Sequence, residues 1–295
     1  MVMMKLQPLG RAALMQLRGR QRSLRFSSTR SVVLEPLGAA VPATRVLRLS
    51  SPPVNSLSLE VLQDLASSIA EAEHDPECRA VVLASGVNGV FSAGLDINEM
   101  HQPDPERLRR FWAALQDVWI RLSSSKVATV AAIEGHAPAG GCLLSVACDW
   151  RIMSTGDPAK GRPFTIGLNE TRLGIVAPPW LIKAFQYAVG TRRADIMLQT
   201  GALVTAERAA EVGLIDEAVD HADVMVRAAE GVGNLLAVPD VARHRTKMIT
   251  RGPMLERLLG DRKADTEDFA IFCESPPVQS SLSAYLDALK RKSKL

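Results

Sequence analysis

Short apolar runs alternate with amphipathic segments between Val32 and about Ala218, and this alternation constrains the fold more than any other feature. The runs RAVVLAS (79–85) and VATVAAI (127–133) are mainly apolar, which is typical of strands buried on both faces. The run RVLRL (45–49) alternates apolar and basic residues, as a half-buried strand does. The pattern therefore predicts an α/β body.

Two amphipathic helices are predicted between these strands. Ser58 is a suitable N-cap for the first helix, and Glu60 suits the positive end of its dipole. The second helix spans roughly 105–122, and its apolar side chains recur at the spacing of a core-facing stripe. These side chains are Leu108, Phe111, Trp112, Leu115, Val118, Trp119 and Leu122. We interpret the aromatic residues as packing residues rather than as a stacking platform.

The strand pattern ends near residue 219, and the remainder is typical of helices. Three proline-containing segments, VPD (238–240), RGP (251–253) and SPP (275–277), are predicted to separate these helices. The sequence thus indicates a leading segment, an α/β core and a helical C-terminal region, with the bounds 1–30, 31–218 and 219–295.

The leading segment has the composition of a mitochondrial presequence. Residues 1–34 carry seven basic and no acidic side chains, and the segment ends in the Ser-rich stretch RFSSTRS. A disordered basic tail is the alternative interpretation. The rest of the chain holds 28 basic and 32 acidic residues, so a basic surface for nucleic acid has no support in composition.

The other end of the chain carries a second targeting signal. Ser293, Lys294 and Leu295 spell the peroxisomal receptor motif SKL, although three residues on a Lys-rich tail can match by chance. We expect delivery to the mitochondrial matrix, with a peroxisomal pool as a second possibility.

Composition and motifs exclude several other classes of protein. No apolar run approaches the roughly 20 residues that a membrane span needs. The four cysteines contain no C-x-x-C pair and the five histidines are scattered, so no zinc-ligand spacing is present. Phosphate-loop, dinucleotide-binding and serine-elbow motifs are also absent. We therefore expect reduced thiols and no metal or redox cofactor.

Two glycine-containing stretches are not explained by packing periodicity. In GVFSAGLDINEM (89–100), a strand end runs into Ser-Ala-Gly, whose small side chains let a ligand approach the backbone. In GHAPAGGCLLSVACDW (135–150), Pro138 suits a helix start, and Gly140 and Gly141 expose peptide N–H groups there. A helix start can hold a developing oxyanion, but the same glycines would also permit close helix packing.

A third stretch, TIGLNETRLGIVAPP (165–179), sets the carboxylate of Glu170 among small and apolar neighbours. Glu170 is either a surface charge at a helix start or a proton carrier in a largely apolar site. Residue spacing alone leaves both interpretations open.

Four stretches, in this order and at these separations, resemble the crotonase (enoyl-CoA hydratase/isomerase) superfamily: PPVNSLSLEVL, VFSAGLDINEM, APAGGCLLSVACDWRIM and GLNETRLGIVAPPWL. The resemblance runs from about Val32 to the C-terminus. It implies a spiral of ββα units, a helical C-terminal region that forms a homotrimer, and an acyl-CoA thioester as the substrate.

The resemblance also implies roles for individual residues. One peptide N–H from the turn 93–95 and the N–H of Gly140 would form an oxyanion hole for the thioester oxygen. Asn169 and Glu170 would face the acyl chain near its reacting carbons, and residues near 101–112 would help to shape the acyl tunnel. The segment implied to contact coenzyme A consists of Ala93, Gly94, Leu95, Asp96 and Ile97.

Leu143 favours isomerisation over hydration. Hydratases of the superfamily use two glutamates; Leu143 matches the position of the first, and Glu170 matches the second. One carboxylate can move a proton from C2 to C4 of a 3-enoyl thioester, whereas positioned water addition is harder without the other. We therefore expect a 1,3-proton transfer by Glu170, whose apolar surroundings should raise its pKa. An enoyl-CoA hydratase and a non-catalytic binding protein, for RNA for example, are the alternatives.

Overall fold

The computed structural model describes residues 31–38, 41–157 and 159–292. The predicted presequence (1–30) and the terminal tripeptide 293–295 lie outside the described residues. The strands are β1 (Val32–Pro36), β2 (Thr44–Leu49), β3 (Ser56–Leu57), β4 (Ala80–Ser85), β5 (Gly89–Val90), β6 (Gly94–Leu95), β7 (Ala128–Ile133), β8 (Gly135–Pro138), β9 (Trp150–Ser154), β10 (Thr165–Gly167), β11 (Val204–Thr205) and β12 (Glu217–Val219).

Ten helices connect and follow these strands in the described residues. They are α1 (Leu59–His74), α2 (Pro105–Ser124), α3 (Gly140–Ala147), α4 (Pro179–Val189), α5 (Thr191–Thr200), α6 (Ala206–Glu211), α7 (Val224–Leu236), α8 (Asp240–Gly260), α9 (Arg262–Glu274) and α10 (Pro276–Lys292). Short 3-10 turns lie at Ile97–Glu99, Glu170–Leu173 and His221–Asp223.

The largest sheet has six strands in the order β1-β2-β4-β7-β9-β12, and all of them are parallel except β1. A smaller sheet has the order β11-β10-β8-β5, and β3 pairs with β6 alone. Along the chain, a strand of the large sheet is followed by a short strand and then a helix, as in β2-β3-α1 and β7-β8-α3. The structure therefore contains the ββα repeat that the sequence resemblance implied.

The long apolar runs are buried on both faces of the large sheet, as predicted. Every residue of β4 and β7 is buried. Val81 and Leu83 pack into the main core, whereas Val82 and Ala84 pack into a second cluster on the opposite face. Helix α7 covers that second face, where alanines of the strands let the helix approach closely. Neither face could therefore show the alternation of a half-exposed strand.

The predicted helix signals are confirmed. Ser58 Oγ accepts a hydrogen bond from the N–H of Val61 at 3.3 Å, which caps α1. The aromatic residues of α2 are packing residues, since Trp112 and Trp119 are buried in the main core. The ring of Trp112 stacks on Phe269 of α9 with 3.5 Å between centroids.

Two predicted proline boundaries differ from the structure. The segment 251–253 does not separate two helices, because α8 continues through Pro253, and the break comes instead at Asp261. Packing offsets the lost hydrogen bond, since Leu255 and Leu258 beyond the proline are buried in the core. Pro138 ends β8 rather than starting a helix, so α3 begins at Gly140.

The carboxylate of Asp265 is one of the contacts that attach helix α9 to the body of the protein. Asp265 Oδ2 accepts hydrogen bonds from Trp112 Nε1 at 2.8 Å, from Gln116 Nε2 at 2.8 Å and from Trp180 Nε1 at 3.2 Å. These donors belong to α2 and α4, so Asp265 joins the C-terminal helices to the α/β core. No helix in the described ranges is long and apolar enough to cross a membrane.

We predict that Asp265→Ala lowers the free energy of unfolding by about 2–4 kcal/mol, because it removes the shared acceptor of three largely buried donors. Urea unfolding at fixed protein concentration measures the change. Asp268→Ala is the matched control, since Asp268 is exposed on the same helix, and it should change stability by less than about 0.5 kcal/mol. Equal effects of the two substitutions would contradict this account of how α9 is attached.

Candidate active site

Buried polar side chains hold the turn that contains Ala93 and Gly94. Asn55 is fully buried with a φ of 51°, and its Nδ2 donates to Ser85 Oγ at 2.9 Å and to the carbonyl of Phe91 at 3.1 Å. Ser92 Oγ donates to the carbonyl of Asn55 at 2.7 Å. The turn is thus fixed to the segment before α1 by hydrogen bonds that are shielded from water.

Two of the three peptide N–H groups in the turn already have protein acceptors. The N–H of Ala93 donates to the carbonyl of Val54 at 2.9 Å, and the N–H of Gly94 donates to Ser92 Oγ at 3.2 Å. The N–H of Leu95 is therefore the best candidate for a donor to a ligand.

The pairing of β6 with β3 supports this assignment. The N–H of Asp96 donates to the carbonyl of Leu57 on β3 at 3.1 Å. Neighbouring N–H groups along a strand point to opposite edges, so the N–H of Leu95 points away from β3. The sequence indicated only the range 93–95, and the structure selects Leu95 within it.

The second candidate donor is the N–H of Gly140, the first residue of α3. The residue before it, Ala139, has the uncommon backbone angles φ 48° and ψ −116°, and its N–H donates to the carbonyl of Gly167 at 2.8 Å. No side chain caps this helix start. The conformation of Ala139 stores strain of a kind that often marks functional sites.

The two candidate donors lie side by side because two glycine backbones are in contact. A Cβ atom added to Gly94, whose φ is +97°, would lie 3.0 Å from the peptide nitrogen of Gly140. A Cβ atom added to Gly140 would lie 3.0 Å from Cα of Gly94. Real Cβ atoms rarely come this close to a neighbour, so a larger residue at either position would require the facing backbone to shift by a few tenths of an ångström.

Parallel pairing brings Glu170 to the same place. Strands β8 and β10 pair in the register Ile166 with Ala137 and Gly167 with Pro138. The residues that follow these strands, Gly140 in one case and Glu170 in the other, therefore emerge at the same end of the small sheet. The electrostatic influence of Glu170 on Cys142, in the first turn of α3, shows that the two segments are close.

Glu170 lies in a largely apolar environment. Its Oε2 atom is buried and has no hydrogen-bond partner, although the residue as a whole is only partly buried. Burial raises the pKa of Glu170 to about 7, and a hydrogen bond from its own backbone N–H opposes part of the shift. A carboxyl group with this pKa exchanges protons near neutral pH, which is what a general base requires.

The remaining predicted residues occupy the same region but differ in their contacts. Asn169 immediately precedes the 3-10 turn that begins at Glu170, and its Oδ1 is buried without a hydrogen-bond partner. The carboxylate of Asp96 accepts from the backbone N–H and the side-chain amide of Asn98, both at 2.9 Å, so it caps the turn after β6. Ile97 packs partly against the main core.

A cavity of about 270 Å³ opens beside Glu170. Its wall consists of Leu168, Glu170, Thr171, Val176, Ala177, Ile182, Gln186, Asp195, Leu198 and Gln199. Sequence reasoning missed the contributions of α4 and α5, since these residues form no motif and their spacing matches that of ordinary helix packing. None of the residues 101–112 lines this cavity, and their part in shaping an acyl tunnel stays a prediction.

Asp195 is a second carboxylate in the cavity wall, and it is already paired. Its Oδ2 lies 2.8 Å from Arg192 Nη1, and its Oδ1 accepts from Gln199 Nε2 at 2.6 Å. The side chain is also 45% exposed to solvent. Asp195 therefore differs from Glu170 in having polar partners and water.

Two neighbours in α3 have the properties that the sequence predicted. Leu143 is buried in the main core. Cys142 is fully buried, and burial raises the pKa of its thiol well above the usual value. Such a thiol is a poor nucleophile. In the described part of the chain, no group of three or more His, Cys, Asp or Glu residues could hold a metal ion.

Sequence comparison places this geometry in a known family. The enoyl-CoA hydratase/isomerase family model matches residues 43–294. Enoyl-CoA delta isomerase 1, mitochondrial, of Homo sapiens is 41% identical over 268 residues, which cover 91% of this chain and 86% of that protein. The Mus musculus protein of the same name is also 41% identical, and the match covers 91% of this chain and 90% of that protein.

Comparison with solved structures supports the same family assignment. The crystal structure of human mitochondrial delta3-delta2-enoyl-CoA isomerase has a TM-score of 0.84 at 40% identity, covering 89% of this chain and 99% of that one. An enoyl-CoA hydratase from Bacillus halodurans has a TM-score of 0.73 at 23% identity, covering 86% and 99%, which shows a common fold. The predicted crotonase-like α/β fold is confirmed, and the chain belongs to the enoyl-CoA hydratase/isomerase (crotonase) family.

Proposed function

We propose that the protein is an enoyl-CoA delta isomerase, which converts 3-cis- or 3-trans-enoyl-CoA to 2-trans-enoyl-CoA in the β-oxidation of unsaturated fatty acids. The observation that carries the proposal is the buried, unpaired Oε2 of Glu170 in the wall of an apolar cavity. The 41% identity to proteins named enoyl-CoA delta isomerase supports it. A coenzyme A thioester is the substrate, and the reaction needs no metal or redox cofactor.

The proposed reaction begins when the thioester carbonyl binds the N–H groups of Leu95 and Gly140. Glu170 takes a proton from C2, and the electron pair of the broken C–H bond moves into the conjugated system as a dienolate. The two N–H donors stabilise the negative charge that develops on the carbonyl oxygen. Glu170 then returns its proton to C4, which leaves the double bond between C2 and C3.

Hydration of a 2-enoyl thioester is the nearest alternative, and the contacts in the cavity favour isomerisation. Leu143 occupies the position that the family resemblance assigns to the first glutamate of a hydratase. The other carboxylate in the cavity wall, Asp195, is held by Arg192 and Gln199. Glu170 is thus the one unpaired carboxylate among the residues that line this cavity.

We further propose that the protein acts as a homotrimer. Helices α8 and α9 expose large apolar side chains, including Val241 at 75%, Ile249 at 74% and Ile271 at 69% exposure. Apolar surface of this kind on successive helices is typical of a subunit interface. If the protein were instead a non-catalytic binding protein, its partner would be a nucleic acid such as RNA. The described part of the chain offers no comparable support for such a partner.

A paired assay tests the proposed reaction. We predict rapid isomerisation of 3-hexenoyl-CoA and little hydration of crotonyl-CoA by the same preparation. Glu170→Gln should lower the isomerisation rate by about 10²- to 10⁴-fold, since an amide cannot carry the proton. Circular dichroism and light scattering should show that the variant keeps the fold and trimeric mass of the wild type.

Glu77→Gln is the control for this substitution, because Glu77 is exposed on the surface, and its isomerisation rate should match that of the wild type. Fast hydration without isomerisation would instead identify a hydratase. Salt-sensitive RNA binding without any acyl-CoA turnover would identify a binding protein.

The pKa of Glu170 predicts the pH dependence of the reaction. The base must be ionised, and burial places its pKa at about 7. We expect kcat/KM to rise with pH up to about 7 and to level off above it. A profile that levels off near pH 4.5 would mean that the carboxyl group is solvated when the substrate binds.

The same pKa predicts how folding stability depends on pH. Because burial raises the pKa from 4.5 to about 7, the folded chain binds this proton more tightly than the unfolded chain does. The ionised carboxylate therefore destabilises the fold progressively as pH rises towards 7, by up to about 3 kcal/mol. Glu170→Gln should gain that much stability relative to the wild type between about pH 5 and about pH 8 in urea unfolding.

Other carboxyl groups do not disturb this comparison. Burial also raises the pKa of Glu134 to about 6, but Glu134 is present in both proteins and its contribution cancels. A stability difference that stays constant with pH would contradict the assigned pKa of Glu170.

We propose the mitochondrial matrix as the main location, supported by the human and mouse relatives, which are named as mitochondrial proteins. Deletion of residues 1–30 should abolish import into isolated mitochondria. Deletion of Leu295 should leave import intact and should remove only a peroxisomal pool, as measured by cell fractionation. Import of the shortened chain would show that residues 1–30 are not the presequence.

A further inference from the structure

A second cavity, of about 30 Å³, lies between α2, α3, α4 and α8, and it shares no lining residue with the cavity beside Glu170. Its polar lining consists of Trp119, Ser123, Arg151, Tyr187 and Arg251, and aliphatic side chains form the rest. One water needs about 10–15 Å³ of such space, so the cavity has room for one small particle. Tyr187 is 62% exposed, which puts this wall of the cavity next to solvent.

Two buried polar atoms in this wall have no hydrogen-bond partner. They are Nε1 of Trp119, a residue with 1% exposure, and Oγ of Ser123, a residue with 2% exposure. An unpaired buried polar group costs free energy, so each of these atoms calls for a partner. Since an indole N–H can only donate, the partner of Trp119 must be an acceptor.

The two guanidinium groups of the lining already have partners in the protein. Arg151 Nε lies 3.3 Å from Asp216 Oδ2. Arg251 donates to the carbonyls of Ala147 and Cys148 and shares the carboxylate of Asp149 with another cation, Lys247, which lies 3.0 Å from it. Guanidinium groups carry N–H donors and no acceptor.

Positive charge is in excess behind the cavity. Arg243 is the third cation beside Asp149, at 3.9 Å, and it is 8% exposed. Its Nε and Nη1 atoms are buried without a hydrogen-bond partner. A second carboxylate, Asp240, lies 3.6 Å from Arg243, but it is shared with Arg79. Cations therefore still outnumber carboxylates in this part of the core, and the field there favours a negative charge.

A water molecule fits this lining less well than an anion does. Water needs acceptors for its two hydrogens, and among the polar side chains of the lining only the hydroxyls of Ser123 and Tyr187 can accept, because the indole and both guanidinium groups only donate. A single-atom anion needs donors alone, and its charge would offset the excess of buried cations.

We propose that this cavity binds one chloride-class anion, which accepts hydrogen bonds from Trp119 Nε1 and Ser123 Oγ in the field of Arg151 and Arg251. The anion would join α2 to α3, α4 and α8; of these helices, α3 begins at Gly140 and α4 lines the cavity beside Glu170. The site is independent of the proposed isomerase activity, because no residue of the proposed reaction lines it.

Thermal unfolding of the full chain tests the proposal. Sodium gluconate, whose anion is too large for the cavity, is replaced stepwise by sodium chloride or bromide at constant ionic strength. We expect the wild-type Tm to rise by about 2 °C or more and to saturate with halide concentration. Trp119→Phe and Ser123→Ala each remove one donor and should each weaken the halide response.

Two matched controls lie outside the cavity. Ser124→Ala removes a hydroxyl that donates to the carbonyl of Ile120, and Trp150→Phe removes an indole that donates to Glu217. Both variants should keep the full halide response. An equal halide response in all five proteins, or none in the wild type, would overturn the proposal.

Anomalous diffraction gives a direct readout that does not depend on the variants. In crystals grown with bromide, we expect an anomalous peak within hydrogen-bond distance of Trp119 Nε1 and Ser123 Oγ. Density for water without an anomalous signal would show that the cavity is a hydration site and would overturn the proposal.

Discussion

The site depends on the contact between two backbones, those of Gly94 and Gly140, which approach until no Cβ atom fits between them. Gly94 lies in the second ββα unit along the chain and Gly140 lies in the third. The contact between them therefore sets how closely these successive units pack. Because the Leu95 and Gly140 N–H groups flank this contact, their separation is a property of the fold rather than of any flexible side chain. Donors that the fold already holds in position need little reorganisation free energy when charge develops on a bound carbonyl.

The rest of the structure supports this contact from both sides. On one side, the buried amide of Asn55 and the hydroxyl of Ser92 fix the turn before Leu95. On the other side, the ladder between β8 and β10 fixes Ala139 and places Glu170 beside α3. Glu170 and Gly140 therefore follow two neighbouring strands of one small sheet, whereas Leu95 lies on β6, which pairs with β3. The contact between Gly94 and Gly140 brings these segments together, which explains how a site spread over more than 70 residues of sequence becomes compact.

Much of this arrangement follows from local sequence pattern. The runs at 80–85 and 128–133 were predictable because burial on both faces leaves each strand apolar at every position except Ser85 and Thr129. The continuation of α8 through Pro253 was not predictable, because tertiary packing of Leu255 and Leu258 outweighs the local preference of proline.

The limits of sequence reasoning at the site have the same cause. Glu170 could be singled out by its apolar neighbours, yet its pKa depends on burial that only the assembled helices supply. The cavity wall from α4 and α5 could not be predicted, since Gln186, Asp195 and Gln199 look like any surface residues of two helices. Local sequence pattern thus identifies candidate site residues more readily than it predicts the shape of the cavity around them.

The turn that carries Glu170 is tied to α5 in a way that has an evolutionary consequence. Thr171 Oγ1 donates to the carbonyl of Leu198, and Arg172 Nε donates to the carbonyl of Thr200. Both acceptors are main-chain atoms, so the tie survives replacement of any α5 side chain that preserves the helix. The side chains that line the cavity can therefore diversify during evolution while the turn that carries Glu170 is inherited unchanged.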